Sequence, residues 1–304
     1  MADPIVTHAL GKAFRALVAL EDVSLRVPTG QAVGLIGSNG AGKSTLLKIL
    51  VNLLPPSSGR AEVFGADSRA MRASIFERVG YMAEGQQLPR VADVAGLLAY
   101  CRPFYRTWDD ALAARLMATL DLPAATPLAR ASRGTRMKAA LVATLAFHPE
   151  VLILDEPLEG LDPLTREQVV DGLLELVSAE GTTVLLASHD LDVLERLLDQ
   201  VAMLHEARLV FQEPLDALQA RYRLVELAGA GVVDATRLPA GSLDVRPTTD
   251  GVSFLSTRFD AETAMALAAA FPGATLRVAR PALREAFIAH ARTLRSAAPV
   301  RGAA

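Results

Sequence analysis

Gly37-Ser38-Asn39-Gly40-Ala41-Gly42-Lys43-Ser44-Thr45 stands between an apolar run, Ala32-Val33-Gly34-Leu35-Ile36, and a helical pattern, Ser44-Thr45-Leu46-Leu47-Lys48-Ile49-Leu50. The spacing G-x-x-x-x-G-K-[ST] is a P-loop, and a strand before it with a helix after it is the context the motif needs. Glycines let the backbone fold tightly round an anion. The N–H groups at the helix start and the helix dipole then favour phosphate. This predicts that Gly37, Ser38, Asn39, Gly40, Ala41, Gly42, Lys43, Ser44 and Thr45 hold a nucleoside triphosphate. Lys43 would reach the β- and γ-phosphates, and the Ser44 hydroxyl would ligate Mg²⁺. A glycine-rich turn before any helix is the bland alternative, and the flanking strand and helix argue against it.

Working outward, Val151-Leu152-Ile153-Leu154-Asp155-Glu156 is an aliphatic run ending in two carboxylates, a Walker B pattern. A parallel strand buried on both faces reads as a continuous apolar run. Ligands sit beyond the C-terminal ends of such strands, which is where Asp155 and Glu156 fall. Val79 to Met82 and Thr183 to Ala187 read as further strands, and Leu164 to Ala179 as an amphipathic helix. Strands alternating with helices predict a parallel sheet covered on both sides, an α/β fold. Residues 88–130 read as several helices broken by Pro89, Pro103, Pro123 and Pro127, and 132–147 as one helix starting at Ser132. A composition shift near Tyr222 divides the chain into residues 1–221 and 222–304. The second part reads as a small α+β domain of two helices and about three strands, structural or regulatory in role. The last residues, from Ser296, read as a frayed tail.

The 304 residues are half apolar, with a net charge of -3. That charge argues against a nucleic-acid partner held by general attraction. One cysteine, Cys101, leaves no disulfide framework and fits a reducing cytoplasm. The first residues carry no signal-peptide pattern, and no run of about 18 apolar residues exists to cross a membrane. Phe14 stands in a stretch of small and polar residues upstream of the P-loop, where an aromatic ring can stack on a base.

Four later stretches choose among P-loop proteins: Ser132-Arg133-Gly134-Thr135, Glu156 directly after Asp155, Gly160-Leu161-Asp162-Pro163, and His189 after the next strand. In this order, over roughly residues 5–215, the chain resembles the ATP-binding cassette (ABC) superfamily. The resemblance implies a P-loop NTPase core with a helical subdomain at about 88–148. It implies ATP and Mg²⁺ as cofactors and ATP hydrolysis as the activity. Ser132 to Thr135 would be the signature loop, Gly160 to Asp162 the D-loop, His189 the H-loop and Phe14 the aromatic A-loop. Two cassettes would clamp two ATP molecules, each nucleotide lying between one P-loop and the partner's Ser132 and Gly134. Glu156 would activate or position the attacking water, and His189 would contact the γ-phosphate. Ser44, Asp155 and Glu84 would serve the metal.

A finer similarity is to ATPases of ABC-2-type exporters, carried by Tyr105-Arg106-Thr107-Trp108-Asp109, the Ser132-to-Met137 wording and Pro281-Ala282-Leu283-Arg284-Glu285-Ala286-Phe287-Ile288. It implies a separate transmembrane permease, a homodimer in preference to a heterodimer, and a place on the inner face of the cell membrane. A soluble ABC ATPase with a mechanochemical or regulatory role is the alternative. Two departures from the family pattern stand out. Glu84 occupies the position of a usual Gln and cannot donate a hydrogen bond as Gln can, though Gln86 and Gln87 are near in sequence. The signature loop reads Ala-Ser-Arg-Gly-Thr where Leu-Ser-Gly-Gly-Gln is usual, and its Arg133 either assists at phosphate or is a solvated loop residue.

Overall fold

Buried and less buried positions alternate from Ile5 to His8 in β1 (Ile5–Phe14), the hub of an antiparallel sheet in the computed structural model, which describes residues 2–189 and 191–297. It pairs with β2 (Leu17–Val23), β3 (Arg26–Val27) and, across the sheet, β5 (Ser58–Val63), to which β6 (Ala66–Asp67) adds an edge. Between them in sequence come β4 (Ala32–Ile36) and α1 (Lys43–Leu50), the strand and helix around the P-loop. Next are a single turn, α2 (Ala73–Phe76), and β7 (Val79–Met82). The helical insert carries α3 (Val94–Cys101), α4 (Asp110–Thr119) and α5 (Arg133–Leu145). After it follow β8 (Val151–Asp155), α6 (Pro163–Glu180), β9 (Thr183–Ala187), the short α7 (Leu191–Leu194), β10 (Gln200–His205) and β11 (Arg208–Pro214).

The second sheet runs β11-β10-β4-β9-β8-β7, with β10, β4, β9, β8 and β7 mutually parallel. Every residue of β4, β8 and β9 is buried, which is why their sequences are apolar runs without alternation. Leu46, Leu47, Ile49 and Leu50 of α1 are wholly buried in one core cluster with Leu35, Ile153 and Leu185 of these strands. Truncating one such leucine to alanine costs about 2–5 kcal/mol. This packing fixes the start of α1 against the strand ends, where the site lies.

The chain forms two compact units, residues 1–212 and 213–304. The division falls earlier than the composition shift at Tyr222 placed it. The reason is α8 (Leu215–Arg221), which belongs to the second unit: Arg221 pairs with Glu213 and donates to the Thr257 carbonyl at 3.2 Å. That unit contains a four-stranded antiparallel sheet, β13-β14-β12-β15, from β12 (Arg223–Ala228), β13 (Ser242–Pro247), β14 (Gly251–Ser256) and β15 (Thr275–Ala279). Its longer helices are α9 (Ala261–Ala270) and α10 (Leu283–Ala297). The sequence suggested about three strands. β13 is the fourth, hidden because its residues are half-exposed and a register shift between Leu243 and Arg246 breaks their period. Ser296, read as the start of a frayed tail, is the penultimate residue of α10; residues 298–304 lie outside the described residues.

Candidate functional site

Four of the longer helices of the first unit begin in different ways from the one behind the P-loop. Asp93, Asp109, Ser132 and Asp162 each accept a backbone N–H with the side chain and so cap α3, α4, α5 and α6. The start of α1 has no side-chain cap and no acidic residue in its first turn. Its leading N–H groups are therefore the ones left for an anion. Gly42 precedes them at φ +108, and a Cβ there would stand 2.3 Å from the Ala19 carbonyl oxygen of β2, so no other residue fits. Asn39 and Gly40 are exposed at the tip of the loop, while Gly37 and Ala41 are buried at its base.

Lys43 is buried, and its ammonium donates to the carbonyls of Gly37 at 2.7 Å and Ser38 at 3.3 Å. Burial holds its pKa below the ordinary lysine value, against the pull of Glu156, Asp155 and Glu84. The Ser44 hydroxyl donates to Asp155 Oδ1 at 3.1 Å. Burial pushes the Asp155 carboxyl up; the Ser44 bond opposes this, the charge on Glu156 adds to it, and Lys48 and Lys43 oppose it. A hydroxyl beside a nearly inaccessible carboxylate, at the mouth of an open helix start, is a hard oxygen donor set that suits Mg²⁺. Ser44 and Asp155 thus fit the metal expected of them, and the P-loop fits the triphosphate.

Glu156 adopts φ +52, the left-handed region, where a non-glycine residue costs about 1–3 kcal/mol. Its backbone N–H donates to the Ala187 carbonyl at 2.8 Å, which ties the turn to β9. The side chain is gripped from the loop after β9. Ser188 Oγ donates to Glu156 Oε2 at 3.0 Å, the His189 backbone N–H at 3.3 Å, and His189 Nδ1 lies 2.9 Å from the same oxygen. With its proton on Nδ1, His189 donates that bond and leaves Nε2 as the ring's acceptor. Sequence reading aimed His189 at phosphate; its present partner is Glu156. The grip of Ser188 escaped notice, although its place at the end of a buried strand, next to His189, was the available signal.

The signature-loop residues open α5. Ser132 Oγ accepts from the Thr135 N–H at 3.0 Å, so Ser132 is an N-cap. Gly134 approaches the D-loop so closely that a Cβ would lie 2.7 Å from the Gly160 carbonyl oxygen. Phe14 lies at the tip of the β1–β2 hairpin, paired with Leu17, and is 41% exposed, with the Lys12 ammonium 4.9 Å from its ring centroid. The same hairpin touches the P-loop through Ala19. Glu84 lies 3.7 Å from Arg133, and among the described residues no three His, Cys, Asp or Glu side chains converge as a metal cluster. Burial and then the charges of Glu159, Asp155 and Glu156 push the Glu84 carboxyl up, and Arg133 opposes them. Gln86 turns back to accept the Ala83 N–H at 3.2 Å. Glu159, which pairs with Arg133 at 2.5 Å, was not anticipated.

An open helix start behind a P-loop, a buried hydroxyl–carboxylate pair and a glutamate held by a histidine define an ATP-hydrolysing site. Residues 20–159 match the family model described as ABC transporter. The chain is 36% identical over 222 residues to the Fe(3+) ions import ATP-binding protein FbpC of Streptomyces coelicolor, across 69% of this chain and 64% of that protein's length. It is 31% identical over 262 residues to the methionine import ATP-binding protein MetN 1 of Yersinia pestis bv. Antiqua, across 81% and 75%. Its fold matches a dimeric bacterial ABC transporter cassette with a TM-score of 0.63 at 22% identity, over 69% of this chain and 98% of that one. The chain belongs to the ATP-binding proteins of ABC transporters, and it is an ATPase cassette of that family. Both named relatives serve import, so neither lends support to the exporter subtype suggested by Tyr105–Asp109 and Pro281–Ile288.

Proposed function

We propose that this chain drives a separate membrane-embedded subunit by hydrolysing ATP between two copies of its cassette. The observation that carries the reading is the division of the site. The start of α1, Lys43, Ser44, Asp155 and Glu156 serve a nucleotide on one edge. Ser132 and Gly134 stand at a second helix start that serves the partner's nucleotide.

Lys43 and the P-loop N–H groups orient the phosphates. Ser44 and Asp155 would hold Mg²⁺, which would neutralise charge developing on the phosphates. Glu156 positions the attacking water and accepts its proton, while Ser188 and His189 keep its carboxylate aimed. Phe14 offers its exposed face to the base. The two cassettes are identical copies, since one chain supplies every motif.

A cavity of about 810 Å³ supports the permease partner. It lies between the loop of Gln86, Leu88 and Pro89 and the face of α5 at Met137 and Ala140, with Arg90 and Arg136 on its lining. A cytoplasmic helix of the membrane subunit fits such a groove, beside the Glu84 loop that leads to the site. No described helix is long and apolar enough to cross a membrane. Export is the finer reading, supported by the wording of Tyr105–Asp109 and Pro281–Ile288. The test is purification from native membranes in detergent. The expected result is a multi-span membrane protein copurifying with this chain and stimulating its ATPase; a monodisperse chain with no membrane association would refute the reading.

A further inference from the structure

The two departures from the family pattern, Glu84 and Arg133, meet in space. Arg133 Nη2 lies 3.7 Å from Glu84 Oε1 and donates to Glu159 Oε2 at 2.5 Å. Both carboxylates flank the catalytic edge. Glu84 follows β7, and Glu159 belongs to the turn after Glu156, its N–H bonded to the Glu156 carbonyl at 3.2 Å. The stem of Arg133 reaches them by crossing Gly160. A Cβ on Gly160 would sit 3.3 Å from Arg133 Cδ and 3.4 Å from Cγ, and its φ of +77 excludes an unstrained side chain as well. Gly134 leans on the same residue from the next position of the signature loop.

The charges explain why the two departures belong together. Glu84, Asp155 and Glu156 all act on Lys43. A glutamine at position 84 would add no charge. A glutamate adds a negative charge to an edge that has to admit a triphosphate. Glu159, Asp155 and Glu156 repel the Glu84 carboxylate, and Arg133 is the cation that offsets them. A glycine at 133 would leave the edge uncompensated.

We propose that Arg133 and Glu84 are a matched pair: the guanidinium, anchored also on Glu159, neutralises the additional carboxylate at the metal edge and positions the signature loop of its own subunit for the partner's nucleotide. Arg133 is thus a positioning residue, and its role in the second half of the site rests on the two-subunit reading above. Glu84 has a protein cation for its partner, in place of the metal its sequence position suggests.

The test is a double-mutant cycle of Arg133→Gly and Glu84→Gln in the Glu156→Gln chain, read by ATP-driven dimerisation in light scattering. Arg133→Gly is expected to weaken dimerisation on the order of tenfold, the scale of one lost charge-assisted hydrogen bond. Adding Glu84→Gln is expected to recover only the part caused by the unpaired Glu84 charge, about two- to fivefold for a half-exposed ion pair, while the loss of the Glu159 bond remains. The Arg133→Gly defect should shrink in 1 M salt, where screening acts within about 3 Å. Independent, multiplying effects of the two substitutions would overturn the pairing. Melting of the nucleotide-free chains decides the pair separately from dimerisation. Glu84→Gln should lower Tm in the parent and raise it once Arg133 is glycine; the same change in both backgrounds would overturn the proposal. A parent chain that fails to dimerise with ATP would refute the two-subunit reading, and the melts would still decide the pair.

Discussion

Two helix starts carry the proposed nucleotide contacts of this chain, and they are built in opposite ways. α1 opens behind Gly42 without a cap, without an acidic neighbour, and with a buried lysine turned onto the loop's own carbonyls. α5 opens behind Ser132, which already caps it, and its first residue, Arg133, is held by two carboxylates of the same subunit. The first start is complete in a single chain, because no side chain caps it. The second is closed on itself and has to exchange protein partners for the other subunit's phosphate. On the proposed two-subunit reading, the contrast makes nucleotide binding a property of one subunit and turnover a property of two.

Lys43→Ala breaks the first start, and the largest loss is expected there. ATP binding to the single chain should weaken about 10–100-fold, the range for removing charge-assisted hydrogen bonds, in an equilibrium titration. Unchanged affinity would mean that the open start of α1 is not the phosphate site. Ser132→Ala breaks the second start. Losing an N-cap costs about 1 kcal/mol, roughly a factor of five, so helix stability and ATP-driven dimerisation should both fall by about that amount. Nucleotide affinity of the single chain should not move; if it did, the division between the two starts would be wrong.

The smallest effect on nucleotide is expected from the second unit. His290, 2.8 Å from the Tyr222 hydroxyl, is held down to about 4 by burial and then by Arg221, against an ordinary value of 6.5. Folding favours its neutral form, so the stability it confers is present above pH 6.5 and drains as the pH falls from 6.5 towards 4. Thermal melts of His290→Asn should show a flatter decline over that window, with ATP binding unaltered. An unchanged slope would show that His290 does not control it.

Much of the first unit was legible because its physics is local. β4, β8 and β9 are buried on both faces and write themselves as apolar runs, and the P-loop spacing states its own geometry. Ser132 was readable as the start of a helix, and the Asp155–Glu156 step as the end of a strand. What escaped depends on contacts between distant residues. Nothing in the wording around Arg133 points to Glu84 or Glu159, because the meeting requires the D-loop to pass between them at Gly160. Ser188 and His189 became partners of Glu156 only once β9 lay beside β8, with Asp155 opposite Ala187. β13 stayed hidden because a register shift removed the alternation that marks a strand. The boundary at Tyr222 followed composition, whereas the fold follows the contacts of α8.

The central claim is that the nucleotide site is divided between two subunits. Light scattering of the Glu156→Gln chain with and without Mg²⁺ and ATP tests it most directly. The account predicts a monomer without ATP and a stable dimer holding two ATP molecules with it, reversed by Ser132→Ala at limiting protein concentration. A chain that binds ATP tightly one-to-one and stays monomeric would contradict it.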